Sequence, residues 1–481
     1  MSKTEKVSNQ HLGNLLSSNQ LKEDYFLLRS VLEEGHAGLY AHRNKTEIDT
    51  KFEDIFSKLD TSSTLMKFYE IIADFIDFIA DGHTSVTVDS KIRDYVKNEI
   101  GIFPIKPVFV DRRFYVYKNF SRDESISVGT EILKINDISI NEIIEKLLSF
   151  VYIDGFGIER KFRSLEKNFS CLFPLIFGVK NNFEIEYRVK ETKEIRKAKL
   201  DAITINETKA IHEKRFLEDF NAPLNSFTIH SDLKTAILKI GTFNSGKTMA
   251  KITGIKKYAE EDKFPSFLKS AFRGFKEEKI EKLILDLRGN GGGRDDYGAL
   301  LYSYLTENEF QYYDTLYLKK KKFDFFKTTN NKSLNFILKL IKKEETDYGY
   351  RIYNPFFMPP LYKTHKKQKD AFEGDVFVLI DGGSFSAACE FCTICHRFQR
   401  VKFVGEETRG TYIGNTSGLM ASVHLPHSKL IIRIPLFRYV MPVSQENNHR
   451  GIKPDYEISP SIDDISKGID TALEYVLRNL L

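Results

Sequence analysis

The sequence predicts an α/β protein with an N-terminal helical region and a small β-rich middle segment. Three observations predict this. Residues from about 20 to 80 place apolar side chains at helical spacing with almost no glycine or proline. From about 100 to 200 the period changes to two. Beyond about 225, short aliphatic runs lead twice into glycine-rich turns and then helices, the pattern of repeated βαβ units and a largely parallel sheet.

Composition sets outer bounds. A chain of 481 residues with 41% hydrophobic and 29% charged residues reads as globular, with room for two to four domains. A net charge of +5 with scattered basic residues, apart from Lys319-Lys-Lys-Lys322, argues against nucleic acid as a partner. No run reaches the length of a membrane-spanning helix, and Met1-Ser-Lys-Thr-Glu-Lys6 lacks a signal-peptide core. The expected location is cytoplasmic if the chain is complete, and periplasmic, envelope or secreted if a leader has been removed.

In chain order, Leu21 to Leu39 and Leu65 to Ile79 read as amphipathic helices, the second preceded by the capping cluster Thr61-Ser-Ser-Thr64. It stops at Asp81-Gly-His-Thr-Ser85, which presents His83 in a turn before a short strand at Val86-Thr-Val88. Strands follow at 103–110 and 113–117, and Val128 to Ile140 reads as a glycine turn, a strand and a polar turn leading into a helix from Asn141 to Phe150. Two more strands lie near 183–189 and 195–200, and a polar connection spans 201–225. The α/β pattern then runs through a strand at Thr235 to Phe243, a helix at Ser266 to Lys279, a strand at Lys282 to Leu287, and a helix at Tyr297 to Leu305. Residues 310–370 have no clear period and read as an insertion or lid. Val376 to Ile380 is a strand, Leu419 to Leu436 a hairpin, and Ile462 to Leu480 a closing helix. The expected domains are 1–95, 96–205 and 206–481.

The chemistry concentrates at Asp381-Gly-Gly-Ser-Phe-Ser-Ala-Ala-Cys-Glu-Phe391, where a strand turns tightly into a helix. A serine at the mouth of a helix is either an N-cap or a nucleophile, because the first-turn N–H groups and the positive end of the dipole also favour a developing oxyanion. Ser384 and Ser386 both fit that position. The second glycine-rich turn, Arg288-Gly-Asn-Gly-Gly-Gly293, lacks the lysine and hydroxyl of a phosphate loop. Its Gly292 N–H, with that of Ala387, is the candidate oxyanion hole. Cys392-Thr-Ile-Cys-His396 spells a haem-attachment pattern, but with Cys389 it continues the helix behind Ser386 at spacings that suit a buried face, so no cofactor or metal is expected.

Two resemblances emerge from these residues. Val128-Gly-Thr-Glu-Ile-Leu-Lys-Ile-Asn-Asp137 resembles the core of a PDZ domain, with Asp137 where glycine is usual. Leu285 to Gly293, Gly383 to Glu390, Val404-Gly-Glu-Glu-Thr-Arg-Gly410 and Gly451-Ile-Lys-Pro-Asp455, in that order behind the PDZ-like segment, resemble the tail-specific, C-terminal processing serine peptidases. Asp81-Gly-His-Thr84 is similar to the tricorn-core branch. The resemblance implies a crotonase/ClpP-like catalytic core and a protein or peptide substrate. In the Ser-Lys branch the general base is a lysine at the position of Thr411, so here the base implied is His83. The nucleophile implied is Ser386. The third acid implied is Glu446, upstream of Gly451, with Asp455 and Glu390 as alternatives. The expected function is a serine endopeptidase working through an acyl-enzyme, with the PDZ-like segment assisting the binding of peptide termini. The alternatives are a catalytically silent peptide- or lipid-binding protein on the same fold and a crotonase-type acyl-CoA enzyme.

Overall fold

The computed structural model describes residues 14–253, 263–327, 332–347, 349–354, 363–444 and 449–481. Three helices open the chain: α1 (Ser18–Gly35), α2 (Lys45–Ser57) and α3 (Leu65–Ile79). Helix α3 starts where Thr64 accepts from Lys67 N and buries Phe68, Ile72, Phe75, Ile76 and Ile79 along one stripe. It ends at Ala80 in the left-handed region, φ 61°, so the Asp81-Gly-His turn leaves a fixed helix end. The short strand expected after that turn is β1 (Ser85–Thr87), and it pairs with residues 431–433 near the other end of the chain.

A six-stranded antiparallel sheet follows: β2 (Ile105–Val110), β3 (Arg113–Asn119), β4 (Glu131–Ile135), β5 (Asn182–Arg188) and β6 (Ile195–Asp201) are paired in that order, and the two-residue strand Ile138–Ser139 pairs with β4 off that path. Between β4 and β5 lie α4 (Ile140–Leu148) and α5 (Phe162–Phe177). Helix α5 was not among the elements read from sequence, although Phe162, Leu165, Phe169 and Phe173 recur at helical spacing and are buried. Pro174 inside its last turn masks it. The expected polar connection at 201–225 contains a helix, Ile205–Arg215, with no buried residue. A capping box between Thr204 and Glu207 holds its start.

The core sheet runs β7 (Asn225–His230), β8 (Thr235–Ile240), β9 (Lys282–Asp286), β13 (Asp375–Ile380), β14 (Lys402–Gly405) and β17 (Tyr456–Glu457). All neighbours but β7 and β8 are parallel. Both faces are covered, which is why β9 and β13 read as continuous apolar runs. Ile284, Phe377, Leu379 and Val404 pack against Ala472 and Val476 of the C-terminal helix α10 (Thr471–Asn479). Leu283, Leu285, Val376, Val378 and Ile380 face the larger core with α6 (Phe264–Glu277), α7 (Asp295–Ser303) and α8 (Ala387–Arg397). The expected single closing helix is split, with Ile462–Lys467 as α9, because Gly468 adopts φ 68°.

The segment 310–370 corrects an expectation. Within its described residues it is not an aperiodic lid but supplies β10 (Thr315–Leu318), β11 (Lys342–Thr346) and β12 (Gly349–Asn354) to a second antiparallel sheet with β15 (Gly414–His424) and β16 (Ile431–Val440), and β1 joins β16. Strand β11, Lys-Lys-Glu-Glu-Thr, is mostly solvated and carries no apolar alternation to read.

Candidate active site

Strands β9 and β13 are parallel neighbours with Asp286 opposite Leu379, so their glycine-rich turns leave the sheet at the same edge. Asp381 ties the turns together: its Oδ1 accepts from Gly289 N and Gly383 N, both at 2.8 Å. Phe385 N donates to Asn290 O at 2.9 Å and Ser384 Oγ to Leu287 O at 2.9 Å. The side chain of Ser384 is thus spent on the turn.

Ser386 occupies the N-cap position of α8, yet its side chain makes no capping hydrogen bond. Its backbone is held at φ 54°, ψ −128°, a region that costs a non-glycine residue about 1–3 kcal/mol. The hydroxyl instead lies 3.1 Å from Nε2 of His83, 303 positions earlier in the chain. The ring of Phe385 stacks on that imidazole at 4.5 Å between centroids, and the Arg409 guanidinium covers the Phe385 ring at 3.9 Å.

The His83 turn is braced from behind. Asp81 Oδ1 accepts from His83 N, Thr84 N and Thr84 Oγ1 at 3.0, 2.9 and 3.0 Å, while its Oδ2 accepts from Thr416 Oγ1. His36 Nδ1 accepts from Gly38 N, so its Nε2 is the donor to Thr84 Oγ1, at 2.6 Å. Burial pushes the Asp81 carboxyl up, but His36 and His83, with the hydroxyls of Thr416 and Thr84, hold it below its usual range. Burial pushes His83 down to about 4; Asp81 opposes the shift and Arg409 and Arg433 add to it. The imidazole is therefore neutral near pH 7 and able to accept a proton through Nε2.

On the far side of the ring the structure shows a group that the sequence reading missed. Asp154 Oδ1 accepts from Gly82 N at 2.7 Å and stands 4.0 Å from His83 Nδ1. Neither His83 Nδ1 nor Asp154 Oδ2 has a hydrogen-bond partner among the described residues. Burial and the Asp81 charge push Asp154 up to about 8, so it carries a proton at neutral pH. No motif marks Asp154; only the folding of the 152–160 loop against the turn brings it there. Asp81, His83 and Asp154 bring ligand atoms within 4.8 Å of one another, close enough for a cation, but Asp81 Oδ1 is already committed to three donors.

Glu446, the expected third acid, lies outside the described residues. The two alternatives are engaged elsewhere. Glu390 is buried against Tyr313 and Asn415, with burial pushing it up to about 7. Asp455 accepts from Phe403 N at 2.8 Å and pairs with Lys402, fixing the start of β14. Of the expected oxyanion donors, Gly292 lies against Ser386: at φ 92°, a Cβ there would fall 2.7 Å from Ser386 Cβ and 3.0 Å from Ala387 N. Its own N–H, however, donates to Asn290 Oδ1 at 2.9 Å. The Cys389, Cys392 and Cys395 thiols are free and buried along α8, as a packed helix face requires.

No curated protein sequence matches the chain. Residues 234–458 match the model of peptidase family S41. Among solved structures, mature CPAF shares the fold at a TM-score of 0.60 and 16% identity, over 96% of each chain. Mature CPAF complexed with lactacystin does so at 0.63 and 16%, over 96% of this chain and 97% of that one. Residues 234–458 are thus those of an S41 peptidase, the tail-specific and C-terminal processing family of serine-type peptide hydrolases.

Proposed function

We propose that the chain is an endopeptidase in which Ser386 attacks the peptide carbonyl and His83 removes and returns its proton. The observation that carries this reading is the 3.1 Å contact between Ser386 Oγ and a neutral imidazole, made by a serine whose strained backbone turns its hydroxyl away from the helix it begins. The tetrahedral oxyanion would be held by the Ala387 N–H, and by Gly292 once its N–H exchanges Asn290 for substrate. Glu446 keeps the role of orienting His83 that the family resemblance implies. Asp154, the carboxyl facing Nδ1, is the second candidate for that role. The parallel core flanked by helices is consistent with a crotonase-like catalytic unit, and the antiparallel sheet of 105–201 with a PDZ-like module that holds peptide termini.

A fluorophosphonate probe tests the proposal. Covalent modification mapped to Ser386, and abolished by both Ser386→Ala and His83→Ala with the fold intact by circular dichroism, is the expected result. Undiminished labelling of His83→Ala would overturn it.

A further inference from the structure

Between the two turns of the dyad lies a side chain to which the proposed mechanism gives no role. Phe385, 5% exposed, precedes Ser386, and its backbone N–H is tied to Asn290 O at 2.9 Å. Its ring carries the His83 imidazole at 4.5 Å between centroids, with 26° between the planes, and the Arg409 guanidinium carbon at 3.9 Å from the centroid. The His83 turn approaches the ring closely: a Cβ on Gly82 would fall 2.7 Å from Phe385 Cζ and 2.9 Å from its Cε2. Any residue but glycine at 82 would displace the ring.

The imidazole needs such a support. Asp81 braces the turn through the backbone N–H groups of His83 and Thr84, which fixes where the side chain starts but not how its ring is turned. In a Ser-His-Asp triad that second task falls to a hydrogen bond at Nδ1. Here Nδ1 has no hydrogen-bond partner among the described residues, and Asp154 Oδ1 stands 4.0 Å away. Apart from its contact with Ser386, the imidazole is laid against Phe385.

Arg409 is anchored over the same ring. Its N–H donates to Ser384 O at 2.9 Å, its Nη1 to Ser164 Oγ at 2.9 Å, and its carbonyl accepts from Arg160. Burial, with the charge of Arg160 adding to it, pushes the guanidinium down to about 10 while Asp154 and Asp381 pull the other way, so it is charged at neutral pH. The charged groups around the imidazole come from four places: Asp81 from its own turn, Asp154 from the 152–160 loop, Arg409 from the segment after β14, and Arg433 from β16. Arg409 is the one that shares an aromatic ring with the imidazole.

We propose that Phe385 and Arg409 are positioning residues for the base: the ring turns the His83 imidazole toward Ser386 Oγ, and the guanidinium held over that ring presents a fixed positive charge to it. Because Phe385 is joined to Ser386 by one peptide bond, the same ring ties the place of the base to the place of the nucleophile. The inference rests on the reading of Ser386 and His83 as the reacting pair.

The test reads the rate of fluorophosphonate labelling of Ser386 against pH in the full chain and in three variants. Phe385→Leu, which keeps an apolar side chain but no ring, should lower the plateau rate at neutral pH by about three- to tenfold, the scale of one aromatic pair. Arg409→Met should move the acid midpoint up from about 4 by about half a unit to one unit, because removing a cation makes the imidazole easier to protonate and the neutral ring is the reactive form. Arg409→Lys, which keeps the charge, should leave the midpoint where the native chain has it. A loosened fold would reduce how much protein labels without moving the midpoint, so the midpoint separates charge from stability. A second readout needs no substitution in the stack and serves if a variant fails to fold. With the histidines isotopically labelled, the carbon-bound ring protons of His83, assigned by their absence from His83→Ala, should be shifted upfield by the Phe385 ring in the native chain. An unchanged plateau in Phe385→Leu, a midpoint that Arg409→Met leaves in place or that Arg409→Lys moves as far, or His83 ring protons at the positions of a solvated imidazole would each overturn the positioning role. Absence of Ser386 labelling in the native chain would instead overturn the dyad.

Discussion

At Ser386, strain and electrostatics work on the same atom. Holding the residue at positive φ, without the capping bond a helix-start serine ordinarily makes, forgoes about 1 kcal/mol of cap energy and leaves Oγ free to meet His83. The imidazole it meets is buried enough to lie near 4 rather than about 6.5, with Asp81 raising it and Arg409 and Arg433 lowering it. The reactive form is the neutral ring, so depressing its pKa extends activity toward acid. The rate of fluorophosphonate labelling should stay near its neutral value down to pH 5 and fall by half close to pH 4. A midpoint near 6.5 would show that the ring is solvated in solution. A second limb tests Asp154, which is pushed up to about 8. Ionising it places a charge 4.0 Å from Nδ1 that raises the basicity of His83 and stabilises its imidazolium. Labelling should therefore rise through about pH 8, and Asp154→Asn should remove that rise while leaving the acid limb in place. If Glu446 orients the ring instead, Glu446→Gln should cost about 10²-fold or more in kcat at every pH, with Asp154→Asn nearly neutral. Ser386 and His83 were legible in the sequence because each sits in a short turn next to a strong helix signal. Asp154 was not, because nothing local distinguishes Tyr-Ile-Asp-Gly from any other loop until Gly82 donates to it.

At the scale of elements, the loop carrying Asp154 and the segment after β14 are joined by one side chain. Arg160 donates to the carbonyls of Asp154, Phe156, Thr408, Arg409 and Gly410, and its residue is 3% exposed. Removing the guanidinium would leave several buried carbonyls without donors, at about 1–3 kcal/mol each before relaxation. Arg160→Met should therefore cost about 3–5 kcal/mol in urea unfolding, and the surviving folded protein should label more slowly because Asp154 and Arg409 no longer share an anchor. A loss below about 1 kcal/mol would mean that water reaches these carbonyls. The same scale shows what sequence periodicity detects. Strands β9 and β13 were visible because both faces are buried and the runs Leu283–Leu285 and Val376–Ile380 are apolar throughout. Strand β11 and the helix at 205–215 were not, since one is a charged sheet edge and the other has no fully buried residue. Helix α5 was hidden by its internal proline.

At the scale of the molecule, His83 and Ser386 meet across 303 positions, so the proposed dyad depends on how firmly the N-terminal region is docked. Polar contacts with the second sheet and its hairpin are among those that hold it. Strand β1 pairs with residues 431–433 of β16, Asp81 accepts from Thr416 on β15, and Asp24 accepts from His427 N and Ser428 N at 2.9 and 2.8 Å. The apolar contacts run the same way: α1 packs its buried face into one continuous core with Ile432, Ile434 and Leu436. Among the described residues no hinge is visible in such an arrangement, because separating the region from the sheet would expose that core as well as the ladder. Labelling of Ser386 and the far-ultraviolet circular dichroism signal should therefore be lost together on titration with urea, with coincident midpoints. Asp24→Ala should move both midpoints down by the same amount, since it strips the half-buried His427 N–H and the buried Ser428 N–H of their acceptor without touching the dyad. Labelling that disappears at a lower urea concentration than the helical signal would show that the N-terminal region undocks as a unit. The active site would then be formed by a docking equilibrium instead of by the fold as a whole.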